Sequence, residues 1–499
     1  MDGTHSKRCF PVNQSRKPWG LKWRSSAAFV TFVVGLGVTT DLLVYSLIVP
    51  VIPFQLEHLG YQGVSGLVGW LLFAYSAGLV ISTPPIAFLS ERYNNRRIPF
   101  LLGQIALIGA QIMLMEAPTY WMMALARIIQ GISSSVVWVV GLALICDTVP
   151  ERTIGRQLGL ALSGMPLGLI IGYPVSGALY EPFGFRGPFI FGVIVTSLDF
   201  LCRLLVIERK EALAWDVDPA AQLSSREEKR PERATNTTSN IPLPPPADSN
   251  TSDQAREAIS GRPGSVRSEP LQDAADCGPS PVAAITPRIS LWSVVVKLLT
   301  SSRAVAVFVN VLLYGVMYTS AEPAIPLHLQ SVWGLDSAKV GLVYVAAVIP
   351  TVFSSALAGW WTDRKGTAVI SVVCLILSLP WWGLLILQRS LALFVVAFAL
   401  QSFFISGTVA PFTAELAAVT KALEGVGYAH VYGAFNIAFG LGSALGPIIG
   451  GQLYDHLLQG WMAICLLGIG LSVLATFLVF CLFGDEPLHS VVRHRVRLP

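Results

Sequence analysis

Charge is what this chain has least of. Only 13% of its 499 residues are Asp, Glu, Lys or Arg, where a soluble domain carries about a quarter. Most of the sequence therefore belongs where an ionised side chain is costly, and a mean hydropathy of +0.61 points to a bilayer. No Gly-x-x-x-x-Gly-Lys-Ser/Thr loop occurs, which argues against a nucleotide-driven pump, and neither His-Glu-x-x-His nor paired intramembrane histidines offer metal chemistry. His430 stands alone. The seven cysteines show no metal-ligand spacing, and those inside apolar runs read as small buried side chains. We expect no enzyme activity, no cofactor, no metal, no disulfide and no nucleic-acid partner.

What the chain has instead is long apolar runs. Measured against the width of a bilayer they give twelve spans, near 27–50, 66–89, 98–116, 119–146, 157–180, 188–207, 303–326, 337–360, 367–386, 390–415, 428–452 and 459–483. The expected fold is an all-α membrane protein in two pseudo-symmetric six-helix bundles. Its parts are an N-terminal tail (1–26), a first bundle (27–207), a disordered central loop (208–288), a second bundle with a leading interfacial helix (289–483) and a C-terminal tail (484–499).

Basic residues set the orientation. Lys7, Arg8, Arg16, Lys17, Lys22 and Arg24 precede the first span, and Arg92, Arg96, Arg97, Arg152, Arg156, Arg209, Lys210, Arg364 and Lys365 fall in alternate connections. The positive-inside rule then places both termini in the cytoplasm. The basic N-terminus leads into a full-length span, so no cleavable signal peptide is expected.

The chain is organised around residues 159–180, an apolar run with glycine at 159, 164, 168, 172 and 177. Glycine rows let a neighbouring backbone approach closely. Residues 440–454 (GLGSALGPIIGGQLY) repeat its pattern. The repeat extends further: Pro50-Val-Ile-Pro53 closes the first span and Pro323-Ala-Ile-Pro326 the seventh. Gly69 stands 22 residues before Glu91 and Gly341 stands 22 before Asp363. Odd spans match odd spans, so the halves run in the same direction, as in secondary transporters built from parallel repeats.

Between the halves, residues 208–288 are rich in Pro, Ser, Asn and charge, which bury too little to fold. Asn236 and Asn250 fit the glycosylation pattern, but a cytoplasmic loop leaves them unmodified. Residues 289–300 (ISLWSVVVKLLT) read as an interfacial helix.

On these residues the chain resembles the major facilitator superfamily. Gly359-x-x-x-Asp363-Arg364-Lys365-Gly366 is similar to the superfamily's loop signature, with a degraded first-half copy at Ala87-x-x-x-Glu91-Arg92. Arg127-x-x-Gln130-Gly131 matches a motif of proton-coupled members. Gly168, Gly172, Pro174 and the Ser176-Gly177 pair resemble the fifth-helix motif of drug:proton antiporters, and Gly446-Pro447 supplies the second-half counterpart. The pattern looks most like the vesicular amine transporter branch and its fungal exporter relatives, which implies export from the cytoplasm. Asp41, nine residues before Pro50, takes the place of an aspartate that those transporters use in amine recognition. Ser76 and Asn436 replace the two members of that branch's lysine–aspartate pair, a joint loss that avoids leaving one buried charge alone.

Ionisable residues inside spans are functional candidates, since a charge at mid-membrane costs about 2.5–3.5 kcal/mol even on lenient scales. Asp41 reads as the proton or cation site, its alternative being a structural hydrogen-bond acceptor. Glu415, at the end of the tenth span, reads as a second coupling acid or as a solvated end residue. Arg127 is expected to hold a nearby acid ionised, or else to pair with backbone carbonyls, and Arg203 to snorkel to the interface. Glu91, Arg92, Asp363 and Arg364 are read as gating groups in short turns. Tyr45 and Tyr314, with Phe73, Tyr75, Tyr318, Phe403, Phe404, Tyr432 and Phe435, are candidates to line an apolar cavity. Ser76 and Asn436 join Asp41, Tyr45 and Tyr314 as expected cavity residues.

The expected function is a proton-coupled exporter of a small hydrophobic or cationic organic compound such as a drug or secondary metabolite. Its partners are that compound, protons and the lipid bilayer, with the protein acting as a monomer in the plasma membrane rather than a vesicular or vacuolar one. The alternatives are a proton-independent facilitator or uptake carrier and, from another class, a non-transporting membrane sensor.

Overall fold

The structure, a computed structural model, describes residues 18–93, 96–150, 153–221, 300–421 and 428–484. Twelve helices among them are long and apolar enough to span a bilayer. They are Ala27–His58, Val64–Ser90, Arg97–Met115, Tyr120–Thr148, Arg156–Phe183, Arg186–Leu213, Ser302–Thr319, Ser337–Lys365, Thr367–Ile386, Leu391–Val419, Phe435–His456 and Gly460–Leu482, numbered below as spans one to twelve.

Several spans are interrupted. The first breaks after Ile48 and resumes at Ile52, where Pro53 opens a short helix, and the seventh ends at Thr319, a separate short helix beginning beyond it at Ile325. Each break coincides with a Pro-x-x-Pro repeat, since proline removes a donor and its ring crowds the preceding turn. The fourth span carries a π-helical turn at Val137–Gly141, a device common at functional sites.

Within the first bundle, the glycine row of span five faces span one: a Cβ on Gly164 or Gly168 would meet main-chain atoms of Gly35, Thr39 and Leu43, and one on Gly172 would meet Ser46. Within the second, Gly442, Gly446 and Gly450 face Leu312, Val316 and Ser320 of span seven in the same way. The sequence repeat is therefore a repeat of packing.

The bundles meet along two seams, span two against span eleven and span five against span eight. Gly69 faces the Pro447 carbonyl and Gly451 that of Ser65, while Gly341 faces the Tyr173 carbonyl and Gly177 that of Ser337. These contacts lie in the half of the molecule away from the chain termini, here termed the far half. At its surface the Gly66 amide donates to Asp455 of the opposite bundle at 2.5 Å, beside a recess of about 590 Å³ lined by Glu57, Tyr61, Gln330 and Asp455 among others.

Three expectations need correction. Order in the first bundle continues past residue 207: Arg209–Leu213 is helical, Arg209 pairs with Asp218 at 2.9 Å, and Ile207, Ala212 and Val217 pack on Leu21. Glu91, Arg92, Asp363 and Arg364 are not in turns but on the last helical turns of Val64–Tyr93 and Ser337–Lys365. Arg203 does not snorkel; its side chain and that of Asp199 are both fully buried and paired at 2.8 Å. The N-terminal tail before residue 18, Asn94, Arg152, the central loop from 222 with Asn236 and Asn250, the leading helix before residue 300, His430 and Tyr432, and the tail from 485 lie outside the residues whose conformation or side chains are described.

Candidate functional site

Asp41 lies midway along the first span, 1% exposed. Its Oδ2 accepts hydrogen bonds from Ser134 Oγ at 2.6 Å and Trp138 Nε1 at 3.1 Å. Ser134 and Trp138 are four residues apart and so share one helix face, and the π-turn begins between them. Tyr75 Oη donates to Ser134 Oγ at 2.9 Å, so a chain of hydroxyls leads from span two through span four to Asp41. Oδ1 has no protein partner, which leaves one oxygen available to a proton or ligand.

Beside this chain sits Arg127, wholly buried. It meets no carboxylate within ion-pair distance among the described residues; its Nη1 donates to Gln130 Oε1 at 2.5 Å and its Nε to the Leu71 carbonyl at 3.4 Å. The guanidinium lies over the rings of Tyr75, at 4.6 Å, and Tyr45, at 5.3 Å, a stacking that suits its delocalised charge. That charge still acts on Glu322 and Asp41.

Glu322 is the group that sequence reasoning missed. It stands in the break after the seventh span, 4% exposed, and its Oε2 accepts a hydrogen bond from Tyr45 Oη of the other bundle at 2.6 Å. Tyr344 Oη donates to its backbone carbonyl at 3.2 Å. A cavity of about 40 Å³ opens beside it, lined by Tyr173, Tyr318, Tyr344, Trp382, Phe398 and Gln401 among others. Tyr173 and Tyr344 stack across the seam at 4.5 Å. The volume suits a few waters, an order of magnitude below the 300–1,000 Å³ or so of an organic-ligand pocket; the seam must part around Glu322 before such a ligand fits. An acid next to the Pro-x-x-Pro repeat was the available signal.

The remaining expected residues divide. Ser76 reaches across the seam to the Ser443 carbonyl at 3.3 Å, and Asn436 is half-buried on span eleven. Tyr314 packs inside the second bundle against Tyr318 and Phe439. Glu415 is not brought to Asp41: it is buried at the termini end of the second bundle, where its carboxylate accepts from Arg303 Nε at 2.5 Å, the Gly484 amide at 2.8 Å and Thr367 Oγ1. Arg364 lies over Trp360 at 3.8 Å. The Asp199–Arg203 pair, joined by Gln104 Nε2 at 2.7 Å, forms a second polar centre in the first bundle.

Taken together, the site offers two buried carboxylates, one per bundle, a stacked arginine between them, and an aromatic wall. Such a pair can take up and release protons or accept a cationic group.

The profile of the Major Facilitator Superfamily matches residues 27–302 and 307–497. An uncharacterized MFS-type transporter of Schizosaccharomyces pombe (strain 972 / ATCC 24843) is 27% identical over 88% of this chain and 92% of its own length. The tetracycline resistance protein, class H, of Pasteurella multocida is 31% identical over 37% of this chain and 46% of its own. The synaptic vesicular amine transporter of Bos taurus is 30% identical over 28% and 27%. Among solved structures, a D-xylose-proton symporter aligns with a TM-score of 0.64 at 11% identity, covering 92% of this chain and 97% of that one, a likeness of fold.

Proposed function

The chain belongs to the major facilitator superfamily, and on that premise we propose that it is a proton-coupled exporter of a small hydrophobic or cationic organic compound. The observation that carries this reading is the placement of Asp41 in one bundle and Glu322 at the boundary with the other, linked through Tyr75, Arg127 and Tyr45. Closure of the far seam supports a state open toward the termini, and the termini are cytoplasmic on the positive-inside reading. A ligand entering from the cytoplasm meets the aromatic wall and draws on Glu322, which Tyr45 releases as the seam parts. A proton arriving at Asp41 from the far side reduces its pull on Arg127, and the bundles rock back. Export rather than uptake draws support from partial likeness to a tetracycline resistance protein and a vesicular amine transporter, and a plasma-membrane location is part of the same proposal. Asp363, Arg364 and the ring of Trp360 serve as gating groups at the termini end, and Glu415 fastens spans seven, nine, ten and twelve there.

The test is proton counterflow in proteoliposomes under an imposed pH gradient, with organic cations and neutral metabolites as candidates and Asp41→Asn beside wild type. Counterflow driven by a compound and lost in Asp41→Asn supports exchange. Transport indifferent to both gradient and Asp41 overturns it in favour of facilitated diffusion.

A further inference from the structure

At the termini end of the first bundle, two arginines from different elements reach for the same helix end. Arg24, just before the first span, donates through Nε to the Leu205 carbonyl at 2.6 Å and through Nη1 to the Trp19 carbonyl at 3.0 Å. Arg97, which opens the third span, donates through Nη2 to the Leu204 carbonyl at 2.9 Å. Successive carbonyls at the C-terminal end of the Arg186–Leu205 helix of span six thus hold two guanidiniums side by side. Neither guanidinium forms an ion pair within 4 Å of a carboxylate among the described residues; from Arg97, Glu208 accepts only the backbone amide's hydrogen bond, at 2.6 Å, and Glu211 acts on Arg24 at longer range. Partial burial, then the like charge of Arg97, both work against the charge on Arg24. An anion between them relieves that repulsion.

The surroundings are those of a membrane interface. Trp19 is 75% exposed and Trp23 41%; their rings meet edge to face at 5.9 Å, and Trp23 in turn meets Phe29 at 4.8 Å. Exposed indoles beside Lys22 mark headgroup depth. Below the arginines, spans three and six present exposed Leu102, Leu201 and Leu205 to the lipid, an apolar track on which an acyl chain can lie. Phosphate above and hydrocarbon below specify an amphiphile rather than a soluble anion.

We propose that this notch binds an anionic phospholipid of the termini-side leaflet, its phosphate between Arg24 and Arg97, Lys22 at its edge, and its acyl chain along spans three and six. The lipid then ties the chain leading into span one to the ends of spans three and six, so the first bundle moves as one body. Basic pockets at helix ends suit such headgroups.

Native mass spectrometry of the full chain in detergent, titrated with phosphatidic acid and with phosphatidylcholine, tests the proposal. Phosphatidic acid is expected to remain bound where phosphatidylcholine is lost, with retention weakened about 20-fold in Arg24→Gln/Arg97→Gln and kept in Arg24→Lys/Arg97→Lys. Because the glutamine pair also loses carbonyl bonds, Lys22→Gln, which touches none of them, is expected to weaken retention about fivefold with the thermal transition unchanged. Equal retention of the two lipids, indifference to both the double variant and Lys22→Gln, or displacement of the lipid by inorganic phosphate at equal concentration overturns it.

Discussion

Tyr45 of the first bundle donates its phenolic proton to Glu322 of the second at 2.6 Å, a bond that joins the two halves beside the buried carboxylates. The same tyrosine ring lies under Arg127 and tilts against Tyr75 at 5.1 Å. Charge on Glu322 strengthens the bond, since hydrogen bonds to ionised acceptors are about twice as strong as neutral ones. A ligand or proton that neutralises Glu322 therefore loosens the seam.

Tyr45→Phe keeps the ring under Arg127 but leaves Glu322 without its donor. We expect the far seam to open more often, by about tenfold, in line with the cost of an unsatisfied buried acceptor. Thiol labelling of a Ser65→Cys reporter, a position now buried behind Gly451, measures this. Labelling equal to that of the reporter alone refutes the gating role of the bond.

Gly69→Ala and Gly341→Ala place a methyl group against the Pro447 and Tyr173 carbonyls. Both are expected to favour the far-open state and slow transport. Gly109, beside which a Cβ meets nothing within 4 Å, is the control, and alanine there is expected to be neutral or stabilising by about 0.5–1 kcal/mol. Equal behaviour of all three variants in transport assays argues against tight seams.

The Asp199–Arg203 pair is fully buried. Removing one partner, as in Asp199→Asn, is expected to cost about 3–5 kcal/mol, whereas Asp199→Leu/Arg203→Met recovers most of that loss. Thermal unfolding of the purified protein decides: a double variant as unstable as the single one shows that the charges themselves are needed.

His328 lies beyond the seventh span, 3% exposed and stacked on Trp461 at 4.2 Å. Its Nε2 has no partner, and burial pulls the imidazole from 6.5 down to about 4. The unfolded chain binds that proton first, so stability is unaffected above about pH 6.5, falls as pH drops toward 4, and levels off below. The total is on the order of 3 kcal/mol. A flatter profile of melting temperature against pH in His328→Phe is the expected result; an unchanged slope means other groups carry it.

The architecture was legible because a bilayer imposes length and apolarity on every span, and the Pro-x-x-Pro and glycine landmarks repeat in register. The burial of Asp41 was legible for a related reason: one acid in a long apolar run stands out. Glu322 was not, because it sits in a helix break where a charge looks solvated; only the fold shows Tyr45 arriving from 277 residues away. Arg203 was read by its nearness to a helix end, yet Asp199 four residues earlier lies on the same helical face and was the cue to a buried pair. The glycine rows told that backbones approach, not which ones. Gly164, Gly168 and Gly172 serve the interior of a bundle, while Gly177, further along the same helix, serves the seam.

That seam has an entropic consequence. Where Gly69, Gly177, Gly341 and Gly451 meet carbonyls of the other bundle, closure sets main chain on main chain. Each long side chain immobilised at an interface forfeits up to about 2 kcal/mol of rotamer freedom, and glycine forfeits none. In the proposed rocking cycle, closing and reopening at these four positions therefore freeze and thaw no side chain of the glycines themselves. The entropic cost of closure at these positions is correspondingly small, and in the proposed cycle that lowers the bias a proton or ligand must supply.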